Sequence, residues 1–134
     1  MASDRAKRYR QYAVLALRVL IGSFFVFHGL SKIGFINAGG LGRSVTFFAE
    51  LHMPAPSITA PILAAIESLG GLALVFGVLA RTIALVLAAI VTAEIMLVKL
   101  PQSIDPLSYS FELSLLAALL VLAYLGPGAW AIEE

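Results

Sequence analysis

The sequence contains no cysteine. That removes thiol–disulfide chemistry, thiolate metal sites and palmitoylation as activities of this chain. Charge is scarce as well: 13% of residues are Asp, Glu, Lys or Arg, where about 25% is usual in soluble domains. The charges that are present nearly cancel, leaving +1. No basic field exists to attract nucleic acid, and that class is set aside. Histidine occurs twice, and only His28 lies near an apolar run; His52 stands beside Pro54 in a loop. Two buried axial ligands for a haem are therefore lacking. The Glu-x-x-His pair of di-iron bundles does not occur, nor does a nucleophile elbow, a P-loop or a dinucleotide fingerprint. On these features no metal and no intrinsic cofactor is expected.

What is abundant is apolar length. Hydrophobic residues make up 60% of the chain, mean hydropathy is +0.97, and 134 residues leave room for one domain. Four apolar runs stand out, at about 12–30, 60–79, 82–100 and 107–125. Each approaches the ~20 helical residues needed to cross a hydrocarbon core of ~30 Å. With short links between them, the expected fold is all-α: a four-helix transmembrane bundle of up-down topology. Between spans one and two, residues 34–56 are broken by Gly39, Gly40, Gly42, Pro54 and Pro56. Within them, 42–52 carries Val45, Phe47, Phe48 and Leu51 with Arg43 and Glu50 interspersed. Such a segment forms a short helix lying on the membrane surface or re-entering it, and its period is too short to choose.

The basic start (Arg5, Lys7, Arg8, Arg10) before an apolar run imitates a signal peptide. Arg18 inside that run and the lack of an A-x-A-like site predict a retained first span instead. Five lysines and arginines fall on the side of the N-terminus and the span two–three link (Arg5, Lys7, Arg8, Arg10, Arg81). Three fall on the other (Lys32, Arg43, Lys99). Both ends are therefore expected in the cytoplasm. Small residues recur every four positions, at Ala60, Ala64, Ser68, then Ala84, Ala88, Thr92, then Ser110, Ser114, Ala118. Such stripes let helices approach closely in lipid.

The polar residues inside the spans carry the functional signal. A charge near mid-span costs on the order of 2.5–3.5 kcal/mol on insertion scales, so it normally faces a polar partner. At 1.5 Å per residue, Glu67 lies roughly 10 Å, Glu94 roughly 9 Å and Glu112 roughly 6 Å from the outer end of its span. His28 is roughly 3 Å down, with Lys32 one turn further out on the same face. Groups from all four helices thus fall in one outer layer. Arg18 lies roughly 18 Å down, and a bond to Glu67 is expected of it, with snorkelling toward the cytoplasm as the other outcome. The plain reading of the layer is that Arg18, Lys32 and Lys99 neutralise the three glutamates and fix helix packing. The functional reading is a proton-exchanging site open to the outer face.

These residues resemble a known family. Arg18-x3-Gly22-x2-Phe25-x2-His28-Gly29-x2-Lys32-x-Gly34 is similar to the first-helix signature of the DoxX family. Glu67-x2-Gly70-Gly71-x-Ala73-Leu74-x2-Gly77-x3-Arg81-x2-Ala84 resembles its second-helix signature. Met53-Pro54-Ala55-Pro56 resembles its proline turn, and Gly126-Pro127-Gly128 with Ala129-Trp130-Ala131-Ile132-Glu133 its C-terminal segment. In that segment Ala131 and Glu133 stand where Ser and Asp are common. The resemblance implies a single DoxX-like domain over 1–134, in a bacterial or archaeal inner membrane. It also implies association with redox systems: thiosulfate:quinone oxidoreductase (DoxD-like) proteins, and a complex with superoxide dismutase and a sulfurtransferase. Mapped by motif, Arg18, His28, Lys32 and Glu67 are the site candidates, and Gly22, Gly29, Gly70, Gly71 and Gly77 the helix-packing positions. Glu94 and Glu112 come from depth alone.

Three function classes follow. The first is a quinone-linked redox subunit, whose electrons a partner must deliver because the chain holds no electron carrier. The second is a non-catalytic scaffold that recruits soluble redox enzymes through the basic start and the C-terminal segment. The third is a small solute or lipid-binding transporter, for which four helices are few and homo-oligomerisation would be needed.

Overall fold

A computed structural model describes residues 1–36, 39–103 and 105–132. Five helices follow one another: α1 (Ala2–Lys32), α2 (Gly40–Glu50), α3 (Pro56–Phe76), α4 (Ala80–Gln102) and α5 (Pro106–Leu125). α1, α3, α4 and α5 are each long and apolar enough to cross a membrane, and no strand occurs among the described residues. The all-α four-span bundle is thus the observed fold.

Three boundaries differ most from expectation. The basic start is the beginning of α1, whose 31 residues make a rod of about 46 Å. α3 ends at Phe76, because Gly77 takes φ 75° and closes the helix as a left-handed cap. Its other end opens on Pro56, at a position where the missing N–H removes no helical bond. The segment 42–52 proves helical over Gly40–Glu50 and packs on α1 and α3 with Phe48 buried.

α1 and α3 make the principal contact of the bundle. α1 turns Val14, Arg18, Gly22, Phe25 and Gly29 inward, a single face of the 3.6-residue period. α3 answers with Ala60, Ala64, Glu67, Ser68, Gly71 and Leu74. The backbones touch where Gly22 meets Gly71: a Cβ on Gly71 would stand 2.5 Å from the Gly22 carbonyl oxygen and 2.7 Å from the Val26 nitrogen. Gly29 lies in the same way against Ala64 and Ser68. Gly70 is on the other side and leaves ordinary contact distance to Leu87 and Ile83 of α4. Without a hydrophobic drive between helices in lipid, this close fit is what brings dispersion contacts into range.

α4 and α5 pack through larger side chains, with Leu87, Ala88, Val91 and Ile95 clustered with Leu115, Leu119 and Leu122. The expected small-residue stripe of the last span does not serve here. Ser110 and Ser114 are exposed, and their hydroxyls donate to the Leu107 and Ser110 carbonyls of their own helix, at 3.1 and 2.8 Å. That internal bond lets a serine face lipid, so the leucines one position on take the inner face. Thr92 does the same on α4, donating to the Ala88 carbonyl at 2.8 Å.

Gly71→Ala is expected to lower stability by about 1–3 kcal/mol through forced separation of α1 and α3. Gly42→Ala, where nothing lies within 4 Å of the new Cβ, is expected to be neutral or slightly stabilising. Unfolding of both variants in lipid nanodiscs checks the contrast.

Candidate functional site

The glycine contact sets the register of the antiparallel pair α1–α3, and the register sorts the charges. With Gly22 against Gly71 and Gly29 against Ala64 and Ser68, the next turn of α1 beyond Gly29 arrives at Glu67. Lys32 Nζ lies 2.8 Å from Glu67 Oε1 and 3.3 Å from Glu94 Oε1, bridging α3 and α4 from α1. His28 Nε2 lies 4.0 Å from Glu67 Oε2. Glu67 is sealed, with a side chain 1% exposed, while His28 is 39% exposed. Glu67 Oε2 makes no hydrogen bond to any described group. The imidazole is held by stacking on Phe24 (centroids 5.3 Å apart, planes at 18°), which in turn meets Phe111 of α5 edge-on at 5.2 Å.

A second ion pair closes the layer: Lys99 Nζ to Glu112 Oε1 at 3.0 Å, joining α4 to α5. Its geometry depends on a feature the sequence does not announce. Residues Ile95–Lys99 form a π turn inside α4. In a regular α-helix the five residues from Glu94 to Lys99 turn by about 500°, leaving the two side chains ~140° apart. The wider π turn closes most of that gap, and such turns gather at functional sites. Glu94 and Lys99 consequently line one cavity of about 400 Å³ together with His28, Lys32 and Glu112. Apart from the hydroxyls of Ser44 and Thr59 the remaining wall is apolar: Phe47, Phe48, Leu51 and Met53 from α2 and the turn after it, Leu63 from α3, and Ile90, Ala93, Leu97 and Val98 from α4. Short α2 thus roofs a chamber whose titratable groups all come from the long helices.

Arg18 does not join this layer, and the expected bond to Glu67 is absent. The register explains it: Arg18 reaches the level of Gly77, ten residues or about 15 Å along α3 from Glu67. There the guanidinium is buried and donates to three backbone carbonyls, those of Pro127, Ala129 (3.2 Å) and Trp130 (3.4 Å). Snorkelling is excluded by the same burial. The C-terminal segment folds back over this end of the bundle, with Ala129 N donating to Gln11 O at 3.2 Å and Ile132 N to Phe76 O at 3.1 Å. The start of α1 and residues 129–132 therefore lie at the end of the bundle opposite the polar layer. Ala131 packs by Gly77, and Glu133 lies outside the described residues.

Of the sequence candidates, His28, Lys32, Glu67, Glu94 and Glu112 converge and Arg18 separates. Lys99 belongs to the cavity and was visible only as a neutralising charge. One juxtaposition escaped the search for short metal motifs: ligand atoms of His28, Glu67 and Glu94 lie within 4.8 Å of one another. They come from three helices, so no spacing reveals them. Lys32 already supplies a positive charge between the two carboxylates.

Four membrane-length helices enclosing a layer of paired charges define a small multi-pass membrane protein. The family comparison agrees: the DoxX model matches residues 13–100, and the chain belongs to the DoxX family. It is 31% identical to the inner membrane protein YqjF of Escherichia coli over 96% of this chain and 95% of that protein. It is 34% identical to the putative oxidoreductase CatD of Bacillus subtilis over 67% of this chain and 62% of CatD. The uncharacterized membrane protein Rv3486 of Mycobacterium tuberculosis is 26% identical over 91% of this chain and 80% of its own length. No solved structure matches the chain.

Two outcomes are expected from the pairing. Lys32→Met strands two carboxylates and should cost about 3–5 kcal/mol, of which Lys32→Met combined with Glu67→Gln recovers a large part. Unfolding in nanodiscs measures both. Arg18→Met removes charged hydrogen bonds worth on the order of 1.5–3 kcal/mol each. The expected readout is release of 127–132, seen as new protease cutting beside Trp130.

Proposed function

We propose that the chain is a redox-associated subunit of the inner membrane that binds a quinone in the cavity under α2. The observation that carries this reading is the division of the cavity wall: aliphatic and aromatic side chains on most of it, two ammonium–carboxylate pairs and an imidazole on the rest. A quinone has the same division, with an isoprenoid tail for the apolar wall and two carbonyl oxygens that accept from Lys32, Lys99 or His28. Binding sites of this kind are concave and mostly apolar with a few placed polar groups. The name of CatD, a putative oxidoreductase, lends support at the level of class. Quinone is the cofactor this reading implies, with electrons supplied by a membrane-associated oxidoreductase partner.

The orientation that fits this role has both termini in the cytoplasm. Arg5, Lys7, Arg8 and Arg10 on the projecting start of α1 and Arg81 at the α3–α4 turn lie at one end, as the distribution of positive charge in inner-membrane proteins requires. A second reading, a scaffold for soluble redox or detoxification enzymes such as a superoxide dismutase or sulfurtransferase, is favoured by one observation. The basic start of α1 shares its end of the bundle with Trp130 and Ile132, both largely exposed.

Mass spectrometry of gently extracted chain should find one quinone per chain. Ala93→Trp, which adds bulk at the cavity wall and removes no charged group, should reduce that at least tenfold with the fold intact. A wild-type chain free of quinone after reconstitution in quinone-rich nanodiscs overturns the reading. An oxidoreductase recovered in its place establishes the scaffold.

A further inference from the structure

The charges around the cavity do not balance. α1 supplies Lys32 and His28, α3 supplies Glu67, α4 supplies Glu94 and Lys99, and α5 supplies Glu112, while α2 lines the cavity with Ser44, Phe47 and Phe48 and no titratable side chain. Three carboxylates face two ammonium groups. Inside hydrocarbon, a net negative charge on such a layer is expensive, and paired, hydrogen-bonded charge is the form that persists. The deficit has a location. Glu94 and Glu112 each hold a lysine at 3.3 and 3.0 Å, and Glu67 Oε1 shares Lys32 at 2.8 Å. Glu67 Oε2 is fully buried without a hydrogen bond among the described residues and faces His28 Nε2 at 4.0 Å.

We infer that Glu67 and His28 together hold one exchangeable proton, kept by the sealed carboxyl and presented to the cavity by the half-exposed imidazole. A closure of about 1 Å turns their contact into a hydrogen bond of normal length. Stacking on Phe24 lets the ring carry that proton as imidazolium against an aromatic face. Lys32 fixes the other carboxylate oxygen and leaves Oε2 alone free to take or give it. The transfer is acid–base only: the Glu67 O–H bond breaks as a His28 N–H bond forms, and the His28 proton passes to an oxyanion in the cavity. Resting on the quinone reading, that oxyanion is the anionic oxygen of a reduced quinone ring.

The proton can be tested without any quinone. Infrared spectra of the quinone-free chain in nanodiscs, with 13C-labelled glutamate, should show one protonated carboxyl C=O band that disappears on raising the pH. The band should be absent in Glu67→Gln and retained in Glu94→Gln. Nitrogen-15 spectra should show His28 titrating in the wild type and shifting its midpoint in Glu67→Gln. His28→Gln, which leaves every lysine pair in place, provides the second variant: the carboxyl band should persist, and proton exchange with the medium should slow at least tenfold. A quinone-free chain with no protonated carboxyl and a neutral His28 from mildly acid to mildly alkaline pH overturns the inference, whatever binds in the cavity. A titrating pair in a chain that takes no quinone overturns the ligand and keeps the proton.

Discussion

The contact on which the site depends is backbone against backbone, where Gly22 meets Gly71. No side chain could stand there, and the fit leaves α1 and α3 a single register. From it follow the positions of three charges that no local rule fixes. Lys32 and His28 arrive at Glu67, and Arg18 arrives at Gly77, six residues beyond Gly71. In water a slip of a few ångströms would be absorbed by solvent. In hydrocarbon each misplaced charge loses its partner, so packing and electrostatics select the same register and reinforce one another.

Much of this was legible beforehand, and the reasons differ from residue to residue. The spans were readable because membrane thickness sets a length and composition that nothing else in a chain of this size requires. The polar layer was readable from depth, since rise per residue is constant; Glu67, Glu94, Glu112, His28 and Lys32 met as their depths indicated. Arg18 failed because its partners are backbone carbonyls of 127–130, and carbonyls leave no mark in a sequence. The π turn failed for a related reason: counting at 100° per residue puts Lys99 on the wrong side of α4 from Glu94. The stripe at Ser110 and Ser114 failed because a serine bonded to its own helix tolerates lipid as well as a helix interface does.

The two ends of the bundle are built on opposite principles. At one, charges from four helices answer one another across a chamber and leave the account one positive charge short. At the other, the buried guanidinium of Arg18 is met by peptide carbonyls of the C-terminal segment, which folds over that end of the bundle. The first arrangement leaves room for a proton or a ligand to complete it, and the second draws its partners from the chain's own backbone.

The link between Arg18 and Pro127 spans 109 residues of sequence. During synthesis α1 enters the membrane first, and at about 5–20 residues per second its arginine waits on the order of 5–20 s for the carbonyls that will satisfy it. For that interval the first span is an incomplete object, held by lipid headgroups or water. Residues 127–130 are then the step that commits it. The first span is therefore completed by a segment made more than a hundred residues later, and a chain released before that segment lacks the shell of its most deeply buried cation.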